Sequence, residues 1–322
     1  INYLNIIKVL VYNYFNFKLN KMRVLFLGNS NILNKKIIPS LINDKNFKCE
    51  IASRKKVNND FFTKTYNNYQ KGLSKTKAKL VYISLINSLH YSLCKKALLS
   101  NKHVIVDKPL TLNSKNNFEL INIAKKRRLL LIEATVFFYN KRFKKFYSLI
   151  NFNKKIDLEI NFSIPSLDKN NFRNYINKGG GCFNDMSPYA IKCIHLFNKR
   201  RLLKIDFLKK TKNKSICEFA INIKEKFFKF SGVFKFNSKY KNFIKIKNDK
   251  NIIYLPMAFS QLLDTKSYFI INKSKKYFKF ENSFHTFLIS IKNVIKQKKN
   301  FYKYYNELTN LTKIRELIEK KI

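Results

Sequence analysis

The sequence predicts an α/β amino-terminal half followed by an α+β half with an open, mostly antiparallel sheet. Three observations carry that prediction. Up to about residue 134, short apolar runs alternate with stretches of helical periodicity. From about residue 135, strand-like segments follow one another without helices between them. Glycine is scarce, 6 in 322 residues, yet three stand together at Gly179, Gly180 and Gly181.

The first apolar run, "RVLFLG", ends in Gly28 and leads into "NSNILNKKIIPSLI", whose apolar positions recur at helical spacing: strand, tight turn, helix. A second strand lies near "KCEIAS", followed by a polar region, "KKVNNDFFTKTYNNYQKGLSKTKA", and a third strand, "KLVYISL". The helix "SLHYSLCKKALLS", the strand "KHVIV", the helix "SKNNFELINIAKKRR" and the strand "LLLIEAT" complete the series. Strands that are apolar throughout and separated by helices describe a parallel sheet covered on both faces. Residues up to about Ala134 therefore read as a Rossmann-type dinucleotide-binding domain. A helix near "NKRFKKFYSLI" and a strand "KIDLEINFSI" come next, then the glycine run opening a helix. The alternating strands "LLKIDFLKK", "KSICEFAINIK", "KFFKFSGVFKF" and "NFIKIKN" follow, and two helices, "SFHTFLISIKNVIKQ" and "NELTNLTKIRELIEKK", close the chain.

Composition narrows the class. With 45% hydrophobic residues the chain can build a sizeable core, and 66 basic against 19 acidic side chains give a formal charge of +47. That excess is spread along the whole chain, and Lys, Asn, Ile, Phe and Tyr are inflated while Trp is absent, as in the product of an AT-rich coding sequence. A solvated basic surface explains this better than a nucleic-acid partner; a polyanion-binding surface is the alternative. Five cysteines without metal-ligand spacing argue against a metal site and for a reduced, cytoplasmic setting. The first 21 residues are apolar but broken by Asn and Lys, unsuited to crossing a membrane, and translation is expected to begin at Met22.

In the first βα turn only Gly28 of a G-x-G-x-x-G pattern is present; Ser30 and Leu33 take the other two places. Gly28, Ser30, Asn31 and Ile32 are the candidate phosphate cradle, with the Ser30 hydroxyl as a possible donor to phosphate. An ordinary turn without ligand fits the motif as well. After the second strand come Ser53, Arg54, Lys55 and Lys56, where an acidic residue favours NAD(H) and a basic one NADP(H), so the reading leans to NADP(H). A glycine triplet in so glycine-poor a chain has a chance expectation on the order of one in five hundred. Downstream, Asp185 and Tyr189 lie one turn apart on one helical face, suited to acid/base work if a lysine lowers the phenol's pKa; a capped Asp and a packed Tyr are the plainer reading. His195 and His285 are read as structural.

These residues resemble the Gfo/Idh/MocA oxidoreductases. "LVYISLINSLHYSLCKKALLSNKHVIVDKPL" is similar to that family's strand, Asn and His, helix, strand and Glu-Lys-Pro motif, which places Asn87, His90, Asp107, Lys108 and Pro109 at matching positions; "GGGCFNDMSPYAI" resembles its glycine, Asp and Tyr/His segment. Tyr at position 189 resembles the glucose–fructose oxidoreductase and dihydrodiol dehydrogenase branch. The resemblance runs from Met22 to the closing helices. It implies an NAD(P)-dependent enzyme acting on a sugar or nucleotide sugar, with 1–21 an extension outside the fold, 22–134 binding the cofactor and 135–322 binding substrate and forming a homodimer or homotetramer.

In the implied mechanism hydride moves between nicotinamide and a carbinol or ketone carbon. Lys108 polarises the substrate oxygen, Tyr189 exchanges the proton, Asp185 orients the substrate, and Gly179 to Gly181 form a substrate loop. Gly28, Ser30, Asn31, Ile32, Ser53, Arg54, Asn87, His90, Asp107, Lys108 and Pro109 contact the cofactor, and the peptide bond before Pro109 is cis. Departures from the family pattern are Ile86 for Pro, Ser187 for Gly, and Phe138, Asn140 and Lys141 for an Arg and a His-Pro pair. A diol dehydrogenase, or a cofactor- or polyanion-binding protein that has lost its chemistry, are the other functions compatible with the fold.

Overall fold

A computed structural model describes residues 21–200, 204–261, 265–297 and 300–322. The expected extension 1–21 lies, but for Lys21, outside the described residues.

Six parallel strands form the first sheet: β1 Met22–Leu27, β2 Phe47–Ala52, β3 Lys64–Tyr66, β4 Leu80–Ile83, β5 His103–Val106 and β6 Leu131–Glu133. Their order, β3-β2-β1-β4-β5-β6, reverses direction at β1, the doubly wound arrangement that leaves a crevice outside the strand ends. Between the sheet and its helices every residue of β4 and the last four of β1 are buried, as their unbroken apolar runs require. The region read as polar, with no element assigned to it, holds β3 and a helix, Tyr69–Lys75, capped by the Asn68 side chain on Lys71 N–H.

The second sheet comprises β7 Ile156–Ser163, β8 Asp206–Lys212, β9 Ser215–Lys224, β10 Phe228–Lys235, β11 Lys241–Asn248, β12 Asn251–Pro256, β13 Ser267–Ile271 and β14 Ser274–Phe278. It is ordered β14-β13-β12-β11-β7-β10-β9-β8. Pairing is antiparallel except between β7 and β10. β10 buries alternate residues, the signature of a sheet packed on one face. That face meets the helix Cys182–Phe197 through Phe183, Met186, Ala190 and Ile194.

The closing helices return to the first sheet. Ser283–Lys296 buries Phe287, Leu288 and Ile291 beside Phe26 and Tyr82. Tyr302–Glu319 buries Tyr305 and Leu308 with Val81 and Val104 on the other face, while its Ile318 joins the core of the second sheet. Each such fully buried large side chain stabilises the fold by about 1.5–3 kcal/mol relative to exposure. His285, read as structural, ties the first of these helices to Asp44 at 2.9 Å. Among the described residues no helix is long and apolar enough to cross a membrane.

Candidate active site

Because the strands of the first sheet run the same way, the residue after each strand end lands on one edge, and hydrogen bonds lock that edge in register. Gly28 N–H donates to Ala52 C=O, Ser84 N–H to Leu27 C=O, Asp107 N–H to Ile83 C=O and Ala134 N–H to Val106 C=O, all at 2.8–2.9 Å. Gly28 has φ +101°, and a Cβ there would lie 2.4 Å from the Ser84 carbonyl oxygen, so no other residue fits. The helix that follows is π-wound over Leu33–Ile37 before it becomes α-helical over Ile38–Leu41. Leu33 stands where close helix–sheet packing would use a glycine; its side chain is fully buried among Val24, Phe26 and Ile37, and the wider turn makes room for it.

Ser30 caps this helix: its Oγ accepts the Leu33 N–H at 3.0 Å and its carbonyl accepts the Asn34 N–H. The Ser30 hydroxyl also meets Ser84 Oγ at 2.6 Å, and Ser84 donates to Asp107 Oδ2 at 2.6 Å. With the Ser84 proton given to the carboxylate, the Ser30 proton goes to Ser84. The expectation that this hydroxyl serves a phosphate is thereby corrected. What remains for an anion is the opening of the helix, where Asn31 and Ile32 line the cleft, in the place and polarity that a pyrophosphate requires. Past β2, Ser53 is buried with its Oγ accepting Lys55 N–H at 3.1 Å, while Arg54 is exposed with its guanidinium 5.8 Å from the Tyr69 ring. Neither lines the cleft; both flank the Gly28 turn through the Ala52 hydrogen bond.

Across the cleft, Lys108 reaches the second half of the chain. The Lys108–Pro109 peptide bond is cis. Lys108 Nζ donates to the Asp185 carbonyl at 2.6 Å and pairs with the Asp185 carboxylate, whose same Oδ1 accepts Arg173 Nε at 2.8 Å. Burial alone would raise the Asp185 carboxyl, but the two cations outweigh it and hold the group well below the usual carboxylate range. Tyr189 lies one turn on, its ring 5.2 Å from Lys108 Nζ and packed against Phe137, Phe162 and Phe259 with centroids 6.0, 5.3 and 4.9 Å away. Burial lifts its phenol above the ordinary value, and the opposing pull of Lys108 does not cancel that lift. A lowered phenol pKa was the expectation; desolvation reverses it, and Tyr189 stays a neutral proton donor.

The turn that carries Lys108 is gripped from both sides. His90, fully buried, has Nδ1 2.7 Å from the Pro109 carbonyl oxygen and Nε2 3.1 Å from the Leu85 carbonyl oxygen, and as a neutral ring it donates to one of them. Glu133 Oε2 accepts Leu110 N–H at 2.7 Å. His90 and Pro109 do not line the cleft; they shape the turn that carries Lys108. The glycine triplet is likewise displaced from its expected place. Gly179 packs against Asn87, whose Nδ2 donates to Gly179 C=O at 2.9 Å, and a Cβ on Gly180 would lie 2.4 Å from the Arg173 carbonyl. These glycines let backbone approach backbone, so that Arg173 and Asn87 come into position; they do not line the cleft.

The cleft itself has a volume of about 660 Å³ and is lined by Ser30, Asn31, Ile32, Asn87, Asp107, Lys108, Asp185 and Tyr189 among the expected residues. Burial raises the Asp107 carboxyl, against hydrogen bonds from Ser84 and from Tyr82 at 2.9 Å. Sequence reasoning missed Arg173, the buried Arg142, whose guanidinium binds the carbonyls of Pro256 and Met257, and the wall of Phe137, Phe162 and Phe259. Arg173 sits six residues before the glycine triplet, and that proximity was the available signal.

Residues 23–135 match the family model GFO_IDH_MocA, described as an oxidoreductase family with an NAD-binding Rossmann fold. Among curated proteins, dTDP-3,4-didehydro-2,6-dideoxy-alpha-D-glucose 3-reductase of Actinomadura kijaniata is 26% identical over 187 residues, 55% of this chain and 56% of that protein. The protein of the same name from Saccharopolyspora spinosa is 29% identical over 132 residues, 40% of each chain. The chain thus spans about half the length, or less, of the curated relatives it matches. Among solved structures, a 3-ketoreductase from Actinomadura kijaniata in complex with NADP and TDP-benzene superposes with TM-score 0.80 at 19% identity, covering 91% of this chain and 95% of that one. An aldose–aldose oxidoreductase from Caulobacter crescentus complexed with glycerol gives TM-score 0.79 at 13% identity, covering 94% and 98%. At these identities the likeness to the solved structures is one of fold.

Proposed function

We propose, for a chain that through residues 23–135 belongs to the Gfo/Idh/MocA oxidoreductase family, an NADP(H)-dependent oxidoreductase that interconverts a ketone and a carbinol on a nucleotide sugar. The observation that carries this reading is the convergence of Lys108, Arg173 and Asp185 beside Tyr189 in the same cleft that opens on the Gly28 turn. The names of the curated relatives support the substrate class, and NADP in the structural neighbour supports the cofactor. The exposed Arg54, Lys55 and Lys56 at the end of β2 offer charge to a ribose 2′-phosphate.

Nicotinamide bound in the cleft would supply or accept the hydride. Everything else falls to the chain. Lys108, held by Asp185, donates a hydrogen bond to the substrate oxygen and stabilises the negative charge that develops there during reduction. Tyr189, a neutral phenol at the cleft wall, delivers the proton to that oxygen and recovers it in the reverse direction. Asp185 stays ionised and fixes Lys108 and Arg173, a more indirect part than orienting the substrate itself. The wall of Phe137, Phe162 and Phe259 excludes water from the reacting carbon and favours a sugar face without hydroxyls.

The test is titration with NADPH and NADH at moderate salt, followed by turnover of dTDP- and UDP-linked keto sugars. Tight NADPH binding with turnover is expected. Weak binding of both cofactors that vanishes with salt would overturn the reading, since it would reflect only the attraction of a +47 chain for phosphate.

A further inference from the structure

The polar residues along the edge of the first sheet form a continuous line. Leu33 N–H donates to Ser30 Oγ at 3.0 Å, Ser30 meets Ser84 Oγ at 2.6 Å, and Ser84 donates to Asp107 Oδ2 at 2.6 Å. Asp107 is the residue before Lys108. The three side chains come from loops after β1, β4 and β5, which are adjacent in the sheet, and all three line the cleft. Backbone bonds tie the same loops together, Ser84 N–H to Leu27 C=O and Asp107 N–H to Ile83 C=O, both at 2.9 Å. Ser84 is fully buried, so its hydroxyl is shielded from water that would compete for either partner.

A glycine in place of Ser30 would remove the side-chain link from the phosphate turn to Ser84, leaving only backbone bonds between that turn and the lysine turn. We infer that Ser30 is a positioning residue that, through Ser84 and Asp107, couples occupancy of the phosphate turn to the setting of Lys108. This inference rests on the dinucleotide reading of the cleft. When an anion settles on the helix opening at Asn31 and Ile32, Ser30 is the capping residue of that same helix and is fixed with it. The hydroxyl line then transmits the constraint to Asp107, and a bound cofactor further restrains Lys108, already paired with Asp185, for its substrate. Chains of hydrogen bonds that polarise one another inside a protein are suited to such a role. No proton needs to travel along the line; its function is to fix position.

The experiment uses adenosine 2′-phosphate 5′-diphosphate, which carries the pyrophosphate of NADP but neither the second ribose nor the nicotinamide, the parts that would lie toward Lys108. Amide exchange is measured with and without it in the full chain. In the wild type, binding is expected to slow exchange at residues 28–34 and also at 106–111, the latter by about tenfold, within the range of coupling between sites. In Ser84→Ala, which leaves the helix cap intact, protection is expected at 28–34 only. Ser30→Ala should behave likewise, and Ser30→Thr, which keeps the hydroxyl, should restore the wild-type pattern. In turnover, Ser84→Ala should lower kcat by about tenfold while the NADPH Kd stays within about threefold. Protection at 106–111 that persists in both Ser84→Ala and Ser30→Ala, or that is missing from the wild type despite binding, overturns the coupling and leaves the functional reading standing. Failure of the wild type to bind the probe at all overturns both.

Discussion

The Gly28 turn and the Gly179–Gly181 segment treat glycine in opposite ways. In the turn one glycine is retained, at φ +101° under the Ser84 carbonyl, while the other two places hold a serine that caps the helix and a leucine that the π-wound turn accommodates. In the later segment all three glycines are kept: Gly179 and Gly181 at φ +77° and +96°, and Gly180 against the carbonyls of Arg173 and Tyr175. The difference teaches that at Gly28 and Gly180 glycine is held by backbone a Cβ would strike, whereas at positions 30 and 33 a side chain finds room and a use. Lys108 and Asp185, each a turn away from one of these regions or beside it, depend on both.

Predictions follow that contrast from its strongest point to its weakest. Lys108→Ala and Tyr189→Phe should each lower kcat by about 10²- to 10⁴-fold, with NADPH affinity unchanged in Tyr189→Phe, measured by steady-state kinetics and cofactor titration. Retention of activity in either would remove the substrate-side cluster from the chemistry. Gly180→Ala should destabilise the fold by about 3 kcal/mol, read from denaturant unfolding, because the clash is with backbone that cannot rotate away. Leu33→Ala tests the opposite case: it should cost about 2–3 kcal/mol by leaving a cavity, with no loss of backbone geometry at Gly28.

A pH effect sharpens the contrast further. Asp185 has a folded-state pKa below its unfolded value, so it adds stability above the ordinary carboxylate value of about 3.9, and that stability is lost as pH falls toward the depressed value. In Arg173→Met one of its two cations is gone, and the acid limb of the unfolding curve should move to higher pH by about one unit. An unmoved acid limb would mean that Lys108 alone sets the charge of Asp185. The smallest effect expected is at Arg54→Ala, a loss of about tenfold in NADPH affinity with NADH unaffected, checked by parallel titrations.

The parallel sheet was legible because its strands are unbroken apolar runs, and the first five strands of the second half, β7 to β11, were legible as strand-like segments. Strand β3, three residues with one buried, carries no period to read; β12 and β13 are short apolar runs of six and five residues, and β14 exposes four of its five residues. The parallel pairing of β7 with β10 links strands distant in sequence and leaves no local trace. At the site, Lys108, Asp185 and Tyr189 stood out by motif. Arg173 did not, since one arginine among 66 basic residues acquires meaning only when folding brings it onto Asp185. The line from Ser30 to Asp107 was hidden for a similar reason: a serine in a glycine's place reads as a loss until Ser84, from another strand, meets it.

The return of the two closing helices to opposite faces of the first sheet separates the order of synthesis from the order of completion. A nascent chain that has emerged as far as β14 already holds all six strands of that sheet but lacks Phe287, Ile291, Tyr305 and Leu308 to cover them. The half of the molecule made first is sealed last: its own helices cover part of each face, and the remainder stays open until the two closing helices are made.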